Sequence, residues 1–370
     1  MSPEKRLTLS VLYDPEVAGK GTPNIDLVLV HGLNGGPIKT WTCDGVVWPR
    51  ELLSQRQPRT RVLSLGYNAD IYENDSVAGI RDFAKSMLAR LKRHRHGVDK
   101  ERSIVFVAHC LGGIIVKQAL YLANINPEYQ PIMAATRGVL FFGTPHFGSD
   151  KNQLLSIAQA FSPLGSSSTP QAKSQGTGGS ALVDSLARNS DALFKISRTF
   201  YRPASHLKIT TFYEMKPWPG TKKCIVDKAD TIMHVPNESH QGLDADHDAM
   251  CKFSSVDDED FDEVCVKIQE AAAAGSAGVG VSTKENEVAV TPDTGMELVP
   301  HQTGAPPKGA ASVTIDIVSI RVDLAEDGSA EAKRPRAIQW TVQSITQRVG
   351  AIFGHGHQSH SNDNVKLIAR

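Results

Sequence analysis

Residues 105–113 read VFVAHCLGG and run directly into GGIIVKQALYLA (112–123). An apolar strand that enters a helix through a single central residue holds that residue's side chain on a strained turn, where it can attack a carbonyl. The residues two before and two after it must be small, because they meet across the turn. Here they are Ala108 and Gly112, and Gly113 extends the room. The amides that open the helix can bind an oxyanion and lower a thiol's pKa. Most free cysteines are small buried apolar residues. This context instead makes Cys110 the candidate nucleophile.

The other groups such a nucleophile needs have candidates in the same chain. VLVHGLNGG (28–36) ends a strand in a Gly-rich loop. Gly32 lets the chain bend inward, so the Leu33 amide is the natural partner of the Leu111 amide in an oxyanion hole. The base belongs late in the chain, and His247 in LDADHDAMCKF (243–253) fits, with His234 and His240 as competitors. The acid belongs at the end of the preceding strand. Glu214 closes LKITTFYE there, Asp227 in KCIVDKAD follows the next apolar burst, and both stay open. His31, His109 and His146 flank apolar strand ends, where with Gly32 and Thr144 they are expected to line a cleft or to be structural. FFGTPHFGSD (141–150) forces a turn. The Ser/Gly-rich stretch 151–180 after it reads equally as a lid or a surface insertion.

These residues need a scaffold, and the apolar pattern supplies one. DLVLVHG (26–32), RVLSLGY (61–67), SIVFVAH (103–109), GVLFFG (138–143) and LKITTFYE (207–214) read as buried strands. Between them lie amphipathic stretches at 76–94, 112–123 and 180–201, the last a helix pair or one long helix, and 258–273 closes the domain. The alternation predicts an α/β fold, a mainly parallel sheet with helices on both faces, over residues 7–273. From 274 to 312 the chain turns rich in Gly, Ala, Pro, Thr and Ser and reads as a flexible linker. Residues 313–370 read as a weakly ordered tail. It holds one strand-like run (SVTIDIVSIRVDL, 312–324) and one amphipathic helix (337–353) that could bind a protein partner.

Bulk composition excludes several classes. Lys+Arg and Asp+Glu both number 40, so no net charge draws the chain to nucleic acid. The five cysteines are scattered without CxxC or Cys/His spacing, which predicts no disulfide framework, no metal site and no cofactor. A reducing, intracellular, cytoplasmic setting follows. MSPEKRLTLSVLYD lacks a signal-peptide core, and no run is long enough for a transmembrane helix.

In order along the chain, VLVHGLNGG, GYNAD, FVAHCLGGIIVKQAL, GVLFFGTPHFGS, TFYE, IVDKADT and LDADHDAMCKF resemble successive blocks of a lipase-like α/β-hydrolase domain. That domain occurs in serine-active-site-containing and GPI inositol-deacylase-like proteins, and at the N-terminus of fungal NACHT, ankyrin and TPR proteins. The chain has no GxxxxGK[ST] loop, so no nucleotide-binding domain accompanies it. The resemblance puts the nucleophile on Cys110, the histidine on His247, the oxyanion loop on Leu33 and the acid on Glu214, with Asp227 still open. It departs at cysteine for serine and Ala108 for glycine. Dienelactone hydrolases and polyester synthases are similar in carrying a cysteine in this elbow. The resemblance implies an intracellular hydrolase of carboxylic esters or thioesters, with a small-molecule or lipid substrate and peripheral contact with endoplasmic reticulum or mitochondrial membranes. Two alternatives are an acyltransferase working through a thioester and a catalytically silent signalling module.

Overall fold

A computed structural model describes residues 7–70, 79–97, 102–160, 177–188 and 190–274. The expected linker, tail strand and tail helix lie outside the described residues, as does the middle of the 151–180 insertion. Seven strands form the central sheet: β1 (Thr8–Tyr13), β2 (Ile25–Val30), β3 (Thr60–Gly66), β4 (Ser103–His109), β5 (Thr136–Phe142), β6 (Lys208–Glu214) and β7 (Glu238–Leu243). Their order across the sheet is β1-β3-β2-β4-β5-β6-β7. Only β1 runs antiparallel to its neighbour; every other pairing is parallel.

Period-two alternation splits the apolar residues between two cores. Val28, Val30, Phe106, Val139 and Phe141 face one side. There they pack under three helices, α1 (Ile80–His94), α2 (Leu111–Ile125) and α3 (Asp191–Ala204). Leu27, Leu29, Val105, Val107, Leu140 and Phe142 face the other side, against α4 (Glu259–Ala273), Trp41 and Trp48. The α2 helix is apolar on nearly every face because the sheet, α1 and α3 all press on it. Its buried start is therefore held from several directions.

The five strands read from the sequence occur within two residues of their expected bounds, and two edge strands were not anticipated. β1 (TLSVLY) and β7 (ESHQGL) are half-exposed and lack a continuous apolar run, so their signal is weak. The stretch 180–201 resolves into two helices, Thr177–Leu186 and α3.

The far end of the sheet is pinned by one carboxylate. Asp26, fully buried on β2, accepts from Arg61 Nε of β3 at 2.7 Å and from Arg102 Nη1 before β4 at 3.4 Å, and it pairs with Arg95 at the end of α1. Removing one member of such a buried network leaves charges stranded in low dielectric. Asp26→Ala is expected to lower unfolding free energy by about 3–5 kcal/mol, read by urea denaturation. A change below about 1 kcal/mol would show that the network behaves like surface ion pairs.

Candidate active site

β4 passes into α2 through Cys110, whose backbone has φ 51° and ψ −122°, a left-sided conformation costly for any residue with a Cβ. Neighbouring strands hold it there. The Cys110 amide donates to the Phe142 carbonyl of β5 at 2.9 Å, and the Gly113 amide donates to the Cys110 carbonyl at 3.1 Å. The crossing leaves no room for a side chain at the second and third residues after Cys110. A Cβ on Gly112 would lie 2.2 Å from the Val30 carbonyl oxygen, and one on Gly113 would lie 2.2 Å from Thr144 Oγ1.

The loop after β2 closes over the same point. A Cβ on Gly32 would fall 2.5 Å from Cys110 Cβ, so the chain at Gly32 lies directly against Cys110. The loop is fastened by the Asn34 amide to the Ala69 carbonyl at 2.9 Å and by the Gly36 amide to Thr40 Oγ1 at 3.1 Å. Leu111 is the first residue of α2, so its amide has no carbonyl one turn back. Among the described residues, the Leu33 amide makes no backbone hydrogen bond in the loop.

His247 follows β7 on a turn built by Asp246, whose Oδ1 accepts from the Asp248 amide at 3.0 Å and the Ala249 amide at 2.9 Å. Its Nδ1 donates to Glu214 Oε1 at 2.8 Å. The Glu214 carboxylate, buried at the end of β6, also accepts from the Ile225 amide at 2.9 Å and the Val226 amide at 2.8 Å. The imidazole needs the missing side chain of Gly143 (φ 52°), where a Cβ would meet His247 Nδ1 at 2.9 Å and Met250 Sδ at 2.9 Å. Among the described residues His247 Nε2 is buried without a hydrogen-bond partner, and Glu214 and Cys110 are the neighbours whose charges act on this ring. Burial pulls the imidazole's pKa down, but Glu214 and Cys110 outweigh it and push it up to about 10.

The structure thus pairs His247 with Glu214 and sets Cys110 within electrostatic reach of the same ring. Asp227 is elsewhere: it precedes a short surface helix and pairs with Arg188 at 3.1 Å. Of the expected cleft residues, His109 lines the recess beside His247, together with Leu33, Asn34, Lys39, Thr40, Trp218 and Asp248. A second recess adjoins it, sharing Trp218 and Asp248 and reaching Cys43 and Lys252.

His31, Thr144 and His146 are fully buried and do not line the recess. His31 stacks on Tyr67 at 4.2 Å and donates to the Gly32 carbonyl at 3.0 Å, and burial drives its pKa down to about 4. His146 sits under α2, where its Nδ1 meets buried Lys117 Nζ at 3.2 Å. Burial brings Lys117 down to about 7 and holds His146 well below its ordinary value. Trp218, a main wall of the recess, escaped the sequence reading. Its signal was a tryptophan beside proline (KPWPG) just past the acid's strand. Among the described residues no cluster of His, Cys, Asp and Glu could hold a metal ion, and no helix is long and apolar enough to cross a membrane.

Residues 26–203 match a family described as "Putative serine esterase (DUF676)". Protein SERAC1 of Danio rerio is 27% identical over 259 residues, covering 63% of this chain and 37% of that protein. The Bos taurus protein of the same name is 30% identical over 145 residues, covering 34% of this chain and 22% of its own length. The chain therefore spans well under half the length of these curated relatives. Among solved structures, the lipase BlEst2 of Bacillus licheniformis has a TM-score of 0.43 at 15% identity, covering 68% of this chain and 94% of its own. A lipase-esterase related protein from Clostridium acetobutylicum scores 0.39 at 11% identity, covering 71% and 98%. Likenesses this distant carry no weight in assigning chemistry. The chain is thus a mainly parallel α/β fold that resembles a putative serine esterase family over residues 26–203.

The His247 pKa fixes a pH dependence. The folded state binds that proton more tightly than the unfolded chain, whose imidazole titrates near 6.5. The stability it contributes is full below pH 6.5 and is lost as pH rises from there through about 10. Glu214→Gln removes the main partner and is expected to flatten that slope. Unfolding free energies of wild type and variant across this range test it; parallel curves would refute the coupling.

Proposed function

We propose that this chain hydrolyses carboxylic esters or thioesters, with Cys110 as nucleophile, His247 as general base and then acid, and Glu214 holding the imidazole in place. The observation that supports the reading best is the buried Glu214–His247 pair, Oε1 to Nδ1 at 2.8 Å, within electrostatic reach of a cysteine on a strained strand-to-helix turn. A thiol is more acidic than an alcohol, so a charged imidazole beside it favours the thiolate.

In this reading the Cys110 sulfur attacks the carbonyl carbon, and the oxyanion is held by the Leu33 and Leu111 amides. The tetrahedral intermediate collapses with loss of the alcohol or thiol, which takes its proton from His247 Nε2. The thioester left on Cys110 is attacked by water, whose proton passes to His247. Collapse of the second intermediate releases the acid and the thiolate. Residues 7–273 are the domain that performs this, acting on a small-molecule or lipid ester whose position brings the chain to the surface of an intracellular membrane. An acceptor other than water would turn the same intermediate to acyl transfer.

The test is turnover of p-nitrophenyl esters and thioesters. Wild type is expected to be active, and Cys110→Ala and His247→Ala are each expected to lose about 10³-fold or more in kcat. Activity that appears only in Cys110→Ser would instead mean that the cysteine disables an intact serine site. Glu214→Gln is expected to lower kcat/KM by about 10²–10⁴-fold, while Asp227→Asn stays within about threefold. A reversed order would move the acid to Asp227.

A further inference from the structure

His109, the residue before the nucleophile, makes contacts that a mere filler would not. Its ring lies 4.7 Å from the His247 ring, tilted by 47°. Its Nε2 is 2.8 Å from the His247 backbone oxygen. A carbonyl can only accept, so Nε2 carries the proton and Nδ1 is the unprotonated nitrogen of a neutral ring. Nδ1 turns toward Gly32, where a Cβ would sit 3.0 Å away. The residue is therefore wedged between the oxyanion loop, the nucleophile's own strand and the loop that carries the base.

We propose that His109 is a positioning residue, which sets the distance between Cys110 and His247 by hydrogen-bonding the backbone of the base from the residue adjoining the nucleophile. The inference rests on the hydrolase reading, since it names what keeps that reading's two reacting groups in register. Glu214 fixes the His247 ring from its Nδ1 side and Asp246 fixes the turn after it. Neither element contains the nucleophile. The His109 bond connects the strand that ends in Cys110 to the main chain of His247. A shift of an ångström between reacting atoms costs on the order of 10²-fold in rate, so a link of this kind has a measurable effect.

The link has to survive protonation of the base, and its surroundings favour that. The groups facing His109 are His247, Lys252 and the neutral His31, and the positive charges of His247 and Lys252 oppose a second proton on the ring. Burial opposes it most, holding the His109 pKa well below the ordinary imidazole value. Lys252 is itself paired with Asp248 at 2.5 Å. The groups facing His247 are Glu214, Cys110 and His109. His109 thus stays a neutral donor to the His247 carbonyl while His247 gains and loses its proton.

The experiment compares wild type, His109→Phe and His109→Gln. It reads kcat and KM on p-nitrophenyl esters and, separately, the rate of Cys110 alkylation by iodoacetamide from pH 5 to 9, measured by mass spectrometry of the Cys110 peptide. The phenylalanine keeps the ring's bulk but not its donor; the glutamine amide restores a donor at similar reach. His109→Phe is expected to lower kcat by about 10–10²-fold with little change in KM, and to slow Cys110 alkylation near pH 6 by about tenfold. His109→Gln is expected to recover most of both. Equal behaviour of the two variants, whether both like wild type or both equally impaired, overturns the proposal. If the phenylalanine variant does not fold, the glutamine variant decides alone: near-wild-type values support the link and a full loss refutes it. Wild type that turns over no ester, with an alkylation profile that still depends on His109, would sink the hydrolase reading and leave the positioning role standing.

Discussion

The site depends on how closely two backbones cross. The start of α2 passes the end of β2 so tightly that a single added Cβ at Gly112 would overlap the Val30 carbonyl oxygen at 2.2 Å. The Gly32 loop then lies on Cys110 with no more room than that. These approaches force Cys110 to φ 51°, and the parallel pairing of β4 with β2 and β5 keeps it there. Strain of this kind costs on the order of 1–3 kcal/mol and persists only where the surroundings over-determine it. Two packed cores, one on each face of the sheet, provide that over-determination. In return, the strand-to-helix turn at Cys110 and the Gly32 loop are held against each other.

Electrostatics divides the buried histidines into two kinds. His31, His109 and His146 have no carboxylate against them, so burial keeps them neutral and they serve as donors, acceptors or packing. His247 is just as buried, yet Glu214 and the thiol beside it raise its proton affinity. The difference is one strand-end carboxylate, itself held by two backbone amides. The same burial that silences three imidazoles makes the fourth responsive to its partners.

The turn at Cys110 is shaped by its neighbours more than by the thiol itself. The thiol fits the turn, because the steric demands fall on its glycine neighbours and on Ala108, which is small and fully buried. The recess beside His109 and His247 is lined by Trp218 together with Asn34, Thr40 and Asp248.

Much of this was local and therefore legible in the sequence. Small residues around Cys110, a glycine after His31 and continuous apolar strands are short-range requirements of a turn and a parallel sheet, and each leaves its mark within a few residues. The choice among distant groups was not local. Glu214 and Asp227 carry the same charge a few turns apart, and only the fold aims one at His247 while Arg188 takes the other. His234, His240 and His247 likewise differ in which one the Asp246 turn and the Gly143 gap deliver to the nucleophile. The edge strands β1 and β7 and the wall at Trp218 exist because neighbours complete them, and a half-exposed strand or a loop tryptophan has no periodicity to announce it. Sequence determined which chemistry could be assembled; the packing of segments 33 to 138 residues apart decided which atoms meet.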